Sequence, residues 1–378
     1  MKKLSKLLFA TFIIAGMVFK PAISQDSNKN GYQFTDQVRL ETTSVKDQER
    51  TGTCWCFSTV SFIETELLRM GKPKYDLSEM YLVRHTYMQK ARDYVMFHGN
   101  NNFGQGSLAH DAMTELEQHG ILPEKIYPGL EYGTEIHNHG EVFSILENYV
   151  ETLTENRRGK LSSAWTKGYS KILDNYFGEI PEEYTYNNET YTAKGFLEEL
   201  GINPNDYIEI TSFTHHPWYE KFDLEVPDNW AHKLYYNIPV DELMEVMDHS
   251  LESGYSIVWD GDVSNRGFSH RNGIAVVPAD ENSSFSIQPV EELEISQEFR
   301  QKLFMNQTMT DDHLMHITGI GNDKDGDRYY LTKNSWGPES NKYGGFLYMS
   351  EPYIRLNTIG IMVHKDAIPE DIAKKLGL

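Results

Sequence analysis

Two cysteines, Cys54 and Cys56, are the only thiols in the 378-residue chain, and they stand one residue apart in the stretch QERTGTCWCF. They are too close to close a useful disulfide loop without distortion, and no second pair stands at zinc-finger spacing. The remaining chemistry open to them is nucleophilic, which requires the thiolate. Cys56, Val60, Ile63, Leu67 and Met70 recur at steps of four and three, the stripe of an amphipathic helix that Gly71 and Pro73 bring to an end. Cys56 therefore reads as core. Cys54, two residues back at about 100° per residue, points away with Ser58, Ser61 and Thr65 and reads as exposed in the first turn. Thr53 is the expected cap. Free N–H groups and the positive end of the helix dipole favour an anion at that place.

A thiol nucleophile needs an imidazole, and the imidazole needs a group to orient it. Fourteen histidines offer themselves, so position must choose. The stretch HLMHITGIGNDKDGDRYYLTKNSWG, residues 313 to 337, reads as two strands about a polar turn. With the reversal centred on Asp325 and Gly326, His316 lies opposite residue 335 and beside Asn334. The Asn334 carboxamide would then fix the ring tautomer and aim the other nitrogen at a thiol. Bland readings stand beside this: a strand histidine satisfied in the core, Asn334 as a turn cap, and DKDGD as a turn without the downstream bidentate Glu of a calcium loop. The pairs His215 with His216 and His137 with His139 lack metal-ligand spacing, so no metal and no cofactor is expected.

The run from Gln48 to Trp55, then His316, then Asn334-Ser335-Trp336-Gly337, in that order, resembles the papain-like cysteine peptidases. The resemblance implies Cys54 as nucleophile, His316 as general base and acid, Asn334 as its orienter, and Gln48 with the Cys54 N–H as oxyanion donors. It implies an α+β fold of two lobes, a helical one and a β-barrel-like one, meeting at a cleft. Trp336 would shield the His–Asn bond at the substrate side, and Gly104, Gly106 and Ser107 would form part of the wall that binds substrate backbone. Thr51 stands where papain and the cathepsins have a disulfide cysteine. The histidine also comes on the order of 100 residues later than in papain-like chains. Both departures resemble the bleomycin hydrolase and aminopeptidase C branch, as do GILPEKIYP, NPNDYIEIT, YNIPVDELMEVM and GYSIVWDGDVS.

That branch implies a helical insertion, expected at about 135–200, where Val142, Ile145, Leu146 and Tyr149 keep helical spacing. It also implies a possible homo-oligomer enclosing the active sites, and a C-terminal arm that restricts cleavage to free amino termini. The chain stops 14 residues after His364, so Leu378 is the terminal group expected to approach the cleft. The expected activity is peptide-bond hydrolysis through a thioester, as an aminopeptidase. The alternatives are an endopeptidase of the same fold, or a secreted peptide-binding protein on that scaffold without turnover. A transglutaminase-like acyl transferase would call for an Asp near position 334.

Residues 1–24 begin with Lys2, Lys3 and Lys6, continue through an apolar run and end in Ala22-Ile23-Ser24. This is a secretory signal pattern, leaving 25–378 as the peptidase domain and placing it in the periplasm or outside the cell. No later run is long enough for a membrane span, and no cysteine near the cleavage site suggests a lipid anchor. A net charge of −21 argues against nucleic-acid partners, whose phosphates are held by Lys and Arg. Peptides are the expected partners.

Overall fold

Helices dominate the first half of the chain and strands the second. The computed structural model describes residues 31–155 and 160–378; the expected signal peptide at 1–24 lies outside the described residues. After strand β1 (Phe34–Arg39) come helices α1 (Cys54–Arg69), α2 (Glu79–Met96), α3 (Ala109–His119), α4 (Gly140–Glu155) and α5 (Ala164–Phe177). The small hairpin β2 (Tyr184–Tyr186) and β3 (Glu189–Tyr191) leads into α6 (Ala193–Leu200). Among the described residues, 135–200 thus contains three helices and one hairpin. Val142, Leu146, Tyr169 and Leu173 of this segment pack into the same core as Val60, Ile63 and Leu67 of α1.

The second half contributes β4 (Tyr207–Thr211), β5 (Lys221–Asp223), β6 (Leu234–Asn237), α7 (Val240–Glu252), β7 (Ile257–Gly261), β8 (Phe268–Ser269) and β9 (Ile274–Ala275). Then follow α8 (Gln297–Met305), β10 (His313–Asp323), β11 (Arg328–Lys333), β12 (Phe346–Ser350), α9 (Glu351–Asn357), β13 (Thr358–His364) and α10 (Glu370–Leu376). Eleven strands form one mixed sheet in the order β5-β6-β4-β13-β7-β10-β11-β12-β9-β8, with β1 added to β10. The β-barrel-like lobe expected from sequence is therefore an open sheet, whose ends are the short strands β5 and β8.

Alternation along the central strands makes two faces. Ile257, Trp259, Met315, Ile317 and Ile361 pack with Leu243, Val246 and Met247 of α7. Val258, Leu314 and Met362 turn the other way and join the core of the helical lobe. Helix α1 lies on that second face and is buried on all sides from Cys54 to Leu67. The hairpin β10–β11 carries a bulge between Ile317 and Gly319. There β1 comes so close that a Cβ on Gly319 would lie 2.3 Å from the Val38 carbonyl oxygen.

Candidate active site

Strand β10 brings two histidines towards α1, and its parity separates them. His316 pairs with Lys333 across the hairpin, and cross-strand partners share a face. Both reach Ser61 of α1: Lys333 Nζ donates to Ser61 Oγ at 2.8 Å, and Ser61 Oγ bonds His316 Nδ1 at 2.8 Å. Burial, with Lys333 adding to it, holds the His316 imidazole well below its ordinary range, so the ring is neutral. Asn334 is one residue past Lys333 and projects to the opposite side. The expected His316–Asn334 pair is thus corrected: His316 is a buried tie between β10 and α1.

The partner of Asn334 is His313, three residues before His316 and so on the opposite face. Asn334 Oδ1 accepts from His313 Nε2 at 2.8 Å and from the Ser335 N–H at 2.7 Å. Because Oδ1 can only accept, the His313 proton is assigned to Nε2, which leaves Nδ1 with a free lone pair. The Asn334 amide continues to His270 Nδ1 at 3.1 Å, and His270 Nε2 bonds Ser340 Oγ at 2.8 Å. Trp336 covers this chain, its ring 4.9 Å from that of His313 and 4.8 Å from that of His270. Burial takes His313 down to about 4, against the Asn334 bond, which favours the protonated ring. Sequence reasoning missed His313 and His270. The sign of His313 was available in the odd spacing of the two histidines in HLMH.

Cys54 is the first residue of α1 and is buried, 9% exposed, rather than open in the first turn as expected. The sheet covers that side of the helix, and the Leu314 N–H, one residue past His313, hydrogen-bonds to the sulfur. Burial pushes the thiol up to about 12; the Leu314 amide opposes this, while Asp311, Asp228 and Asp260 raise it further. Thr53 makes no side-chain cap. Its hydroxyl is 2.5 Å from that of Thr51, and its carbonyl accepts from the N–H groups of Cys56 and Phe57. Cys56 is fully buried and its thiol donates to the Glu79 carbonyl at 3.3 Å.

Gln48 joins the two halves of the site. Its Nε2 donates to the Thr51 carbonyl at 2.7 Å, its Oε1 accepts from Ser335 Oγ at 2.6 Å, and its backbone N–H bonds the Ser335 carbonyl at 2.8 Å. Only one amide hydrogen is needed for the Thr51 bond, and a carboxamide has two. On the other flank, Gly52 N–H donates to Gln105 Oε1 at 2.8 Å and Trp55 Nε1 to the Gln105 carbonyl at 3.1 Å. This sets Gly104 and Gly106 beside the Cys54 loop. Their carbonyls accept from Lys90 Nζ, while Ser107 Oγ accepts from Trp230 Nε1 at 2.9 Å. Leu378 is not at the cleft: α10 packs through Ile372 and Leu376 with α7, on the face of the sheet turned away from α1.

Among the described residues, two other groups gather three potential ligand atoms within 4.8 Å of one another: His85, Glu115 and His119, and His215, His216 and Glu225. Neither includes a residue of the Cys54 and His313 assembly. No helix among the described residues is long and apolar enough to cross a membrane.

A family model described as "Peptidase C1-like family" matches residues 5–377. Aminopeptidase G of Lactobacillus delbrueckii subsp. lactis is 21% identical over 88% of this chain and 84% of its own length. Human bleomycin hydrolase is 21% identical over 90% of this chain and 84% of its own length. Among solved structures, PepW from Lactobacillus rhamnosis superimposes with a TM-score of 0.71 at 17% identity, covering 91% of this chain and 84% of that one. The fold is shared with that protein.

Proposed function

Since the chain belongs to the Peptidase C1-like family and is a cysteine peptidase akin to aminopeptidase C and bleomycin hydrolase, we propose that Cys54, His313, Asn334 and Gln48 carry its reaction and that it is an aminopeptidase. The observation that carries the reading is the His313 Nε2 to Asn334 Oδ1 bond on the strand whose next amide, Leu314 N–H, meets the Cys54 sulfur. The ring is held with its free nitrogen available as a base. His270 extends the chain of bonds beyond Asn334.

His313 Nδ1 takes the Cys54 proton as the sulfur attacks the scissile carbonyl carbon, and the carbonyl electrons move onto oxygen. The Cys54 N–H and the second Gln48 amide hydrogen receive that oxyanion; loss of one such donor costs about 10²–10³ in kcat. As the carbonyl re-forms, the C–N bond breaks and His313 gives its proton to the departing amine. Water then attacks the thioester with His313 again as base; the C–S bond breaks, the Cys54 sulfur takes the proton back from His313, and the carboxylic acid product departs. With burial raising Cys54 and lowering His313, the ligand-free pair is neutral, so proton transfer accompanies attack rather than preceding it. Trp336, packed on His313, keeps water from the His313–Asn334 bond.

The names of the relatives, among them aminopeptidases G, C and W, favour cleavage from a free amino terminus. The test compares an aminoacyl coumarylamide with its Nα-acetyl form, on the wild type and on Cys54→Ala. The expected result is turnover of the free form alone, abolished by the substitution. Equal turnover of both forms means an endopeptidase, and turnover by Cys54→Ala removes the proposal. The basic and apolar residues at 2–19 support a reading in which this activity lies in the periplasm or outside the cell; fractionation of cells producing the full chain checks it.

A further inference from the structure

Near Cys54 stand three carboxylates that no step above uses. Asp260 on β7 lies directly across from Leu314, whose N–H meets the sulfur, and such partners project to one face. Asp311 is two residues before His313. Asp228 lies behind the glycine wall: a Cβ on Gly106 would come within 1.9 Å of its Oδ2.

The protein neutralises this group only in part, through the charge of Lys90 acting on Asp228 and Asp311. Asp260 is 4% exposed, yet apart from Asp311 beside it no group among the described residues hydrogen-bonds to either of its oxygens, and none but Asp260 reaches Asp311 Oδ2. Asp228 receives one bond, from Asn102 Nδ2 at 3.0 Å. The ammonium facing it, Lys90, acts on it by charge while its hydrogen bonds go to the carbonyls of Gly104 and Gly106. Behind Asp260, Glu209 is already satisfied by His110 at 2.8 Å and Tyr235 at 3.0 Å. Asp260 and Asp311 lie within hydrogen-bond reach of each other; burial first of all raises both, Asp311 to about 7, with Asp311 adding to the rise at Asp260 and Asp228 to that at Asp311, while the contact with Asp260 opposes the rise at Asp311. Buried carboxylates without donors are costly unless a proton or a cation joins them.

We infer that Asp260, Asp311 and Asp228 form the subsite that receives the α-ammonium group of the peptide's first residue. This deepens the aminopeptidase reading and rests on it. The α-nitrogen of a first residue is one carbon away from the carbonyl under attack, so it must settle close to the nucleophile, where Asp260 lies. An ammonium brings three donors, matching a set of oxygens that has too few. It also brings the positive charge that offsets the effect of these carboxylates on Cys54. Nα-acetylation removes both the charge and two donors.

The test uses binding, so that it does not depend on turnover. In Cys54→Ala, calorimetry with alanyl-alanyl-leucine should give at least tenfold tighter binding than with its Nα-acetyl form. Adding Asp260→Asn and Asp311→Asn should abolish that difference and raise the thermal midpoint, because amides replace two repelling carboxylates. A midpoint that falls would assign the carboxylates a structural role and overturn the inference. So would equal affinity for the two peptides in Cys54→Ala, or a difference that survives the added substitutions. Two further arms identify other cations: tight binding of calcium chloride alone, or of an acetylated peptide only when lysine precedes the scissile residue, would also overturn it. Turnover of acetylated substrates by the wild type strikes the aminopeptidase reading separately.

Discussion

His313 and His316 stand three residues apart on one strand, and that odd interval gives them different neighbours. His313→Gln is expected to lower kcat by about 10³–10⁴. His316→Gln should leave kcat within a few-fold and instead lower stability by about 1–3 kcal/mol, since Ser61 and Lys333 lose a buried partner. Steady-state rates and urea midpoints of both variants check this, and a catalytic collapse in His316→Gln would reverse the assignment. Cys54 and Cys56 divide similarly: Cys54→Ala is expected to abolish hydrolysis, while Cys56→Ala should keep it at some cost to the core. Cys54, Asn334 and Gln48, the residues given roles in the proposed reaction, stood out in the sequence because each sits in a short motif of fixed local spacing. His313 did not, because with His316 opposite 335 or opposite 333 alike, residue 334 falls on the other face, and only a histidine an odd number of residues from His316 shares that face with it. His316 pairs with Lys333, not with residue 335.

Helix α1 shows what periodicity reads and what it leaves out. Its apolar stripe was plain in the sequence, and Cys56, Val60, Ile63 and Leu67 are in the core as that stripe requires. Its polar side was read as exposed, yet Ser58, Ser61 and Thr65 are buried because the sheet lies against them. Local bonds make this tolerable: Ser58 donates to the Trp55 carbonyl at 3.1 Å, and Glu64 accepts from the Thr43 hydroxyl at 2.5 Å and the Leu77 N–H at 2.9 Å. Nothing local in a helix announces a second layer packed on its polar side. Ser61→Ala should therefore cost about 1–3 kcal/mol by stranding His316 Nδ1. A double-mutant cycle with His316→Phe should show strong non-additivity in urea unfolding. Additive losses would mean that the two elements are not coupled through this bond.

For the molecule as a whole, buried acids and buried histidines pull stability in opposite directions with pH. Burial first of all raises Glu64, Glu115 and Asp311 to about 7 and Glu124 to about 8. It lowers His139 to about 3, and His270 and His313 to about 4. The acids' contribution is present below their unfolded values and is lost as pH rises through 7 to 8. The histidines' contribution is present above their unfolded value near 6.5 and is lost as pH falls towards 4 and 3. Between about pH 4.5 and 6.5 the two changes offset each other. Thermal midpoints from pH 3.5 to 8.5 should form a plateau there and fall on both sides; a steady rise to pH 8 would contradict the burial of the acids. At this scale the sequence showed two lobes and an inserted helical segment. It did not show that the sheet stays open, which depends on strands as short as β8 and β9. The ribbon at the front of the chain carries one more consequence. Strand β1 pairs with β10, Asp47 bridges to Trp336, and Gln48 holds Ser335. A segment made early is thus completed only by some of the last residues, and a nascent chain short of His313 carries Cys54 with neither its proposed base nor the Asn334-Ser335 frame. Peptide bonds within reach of such a half-made polypeptide are safe from it until translation is nearly over.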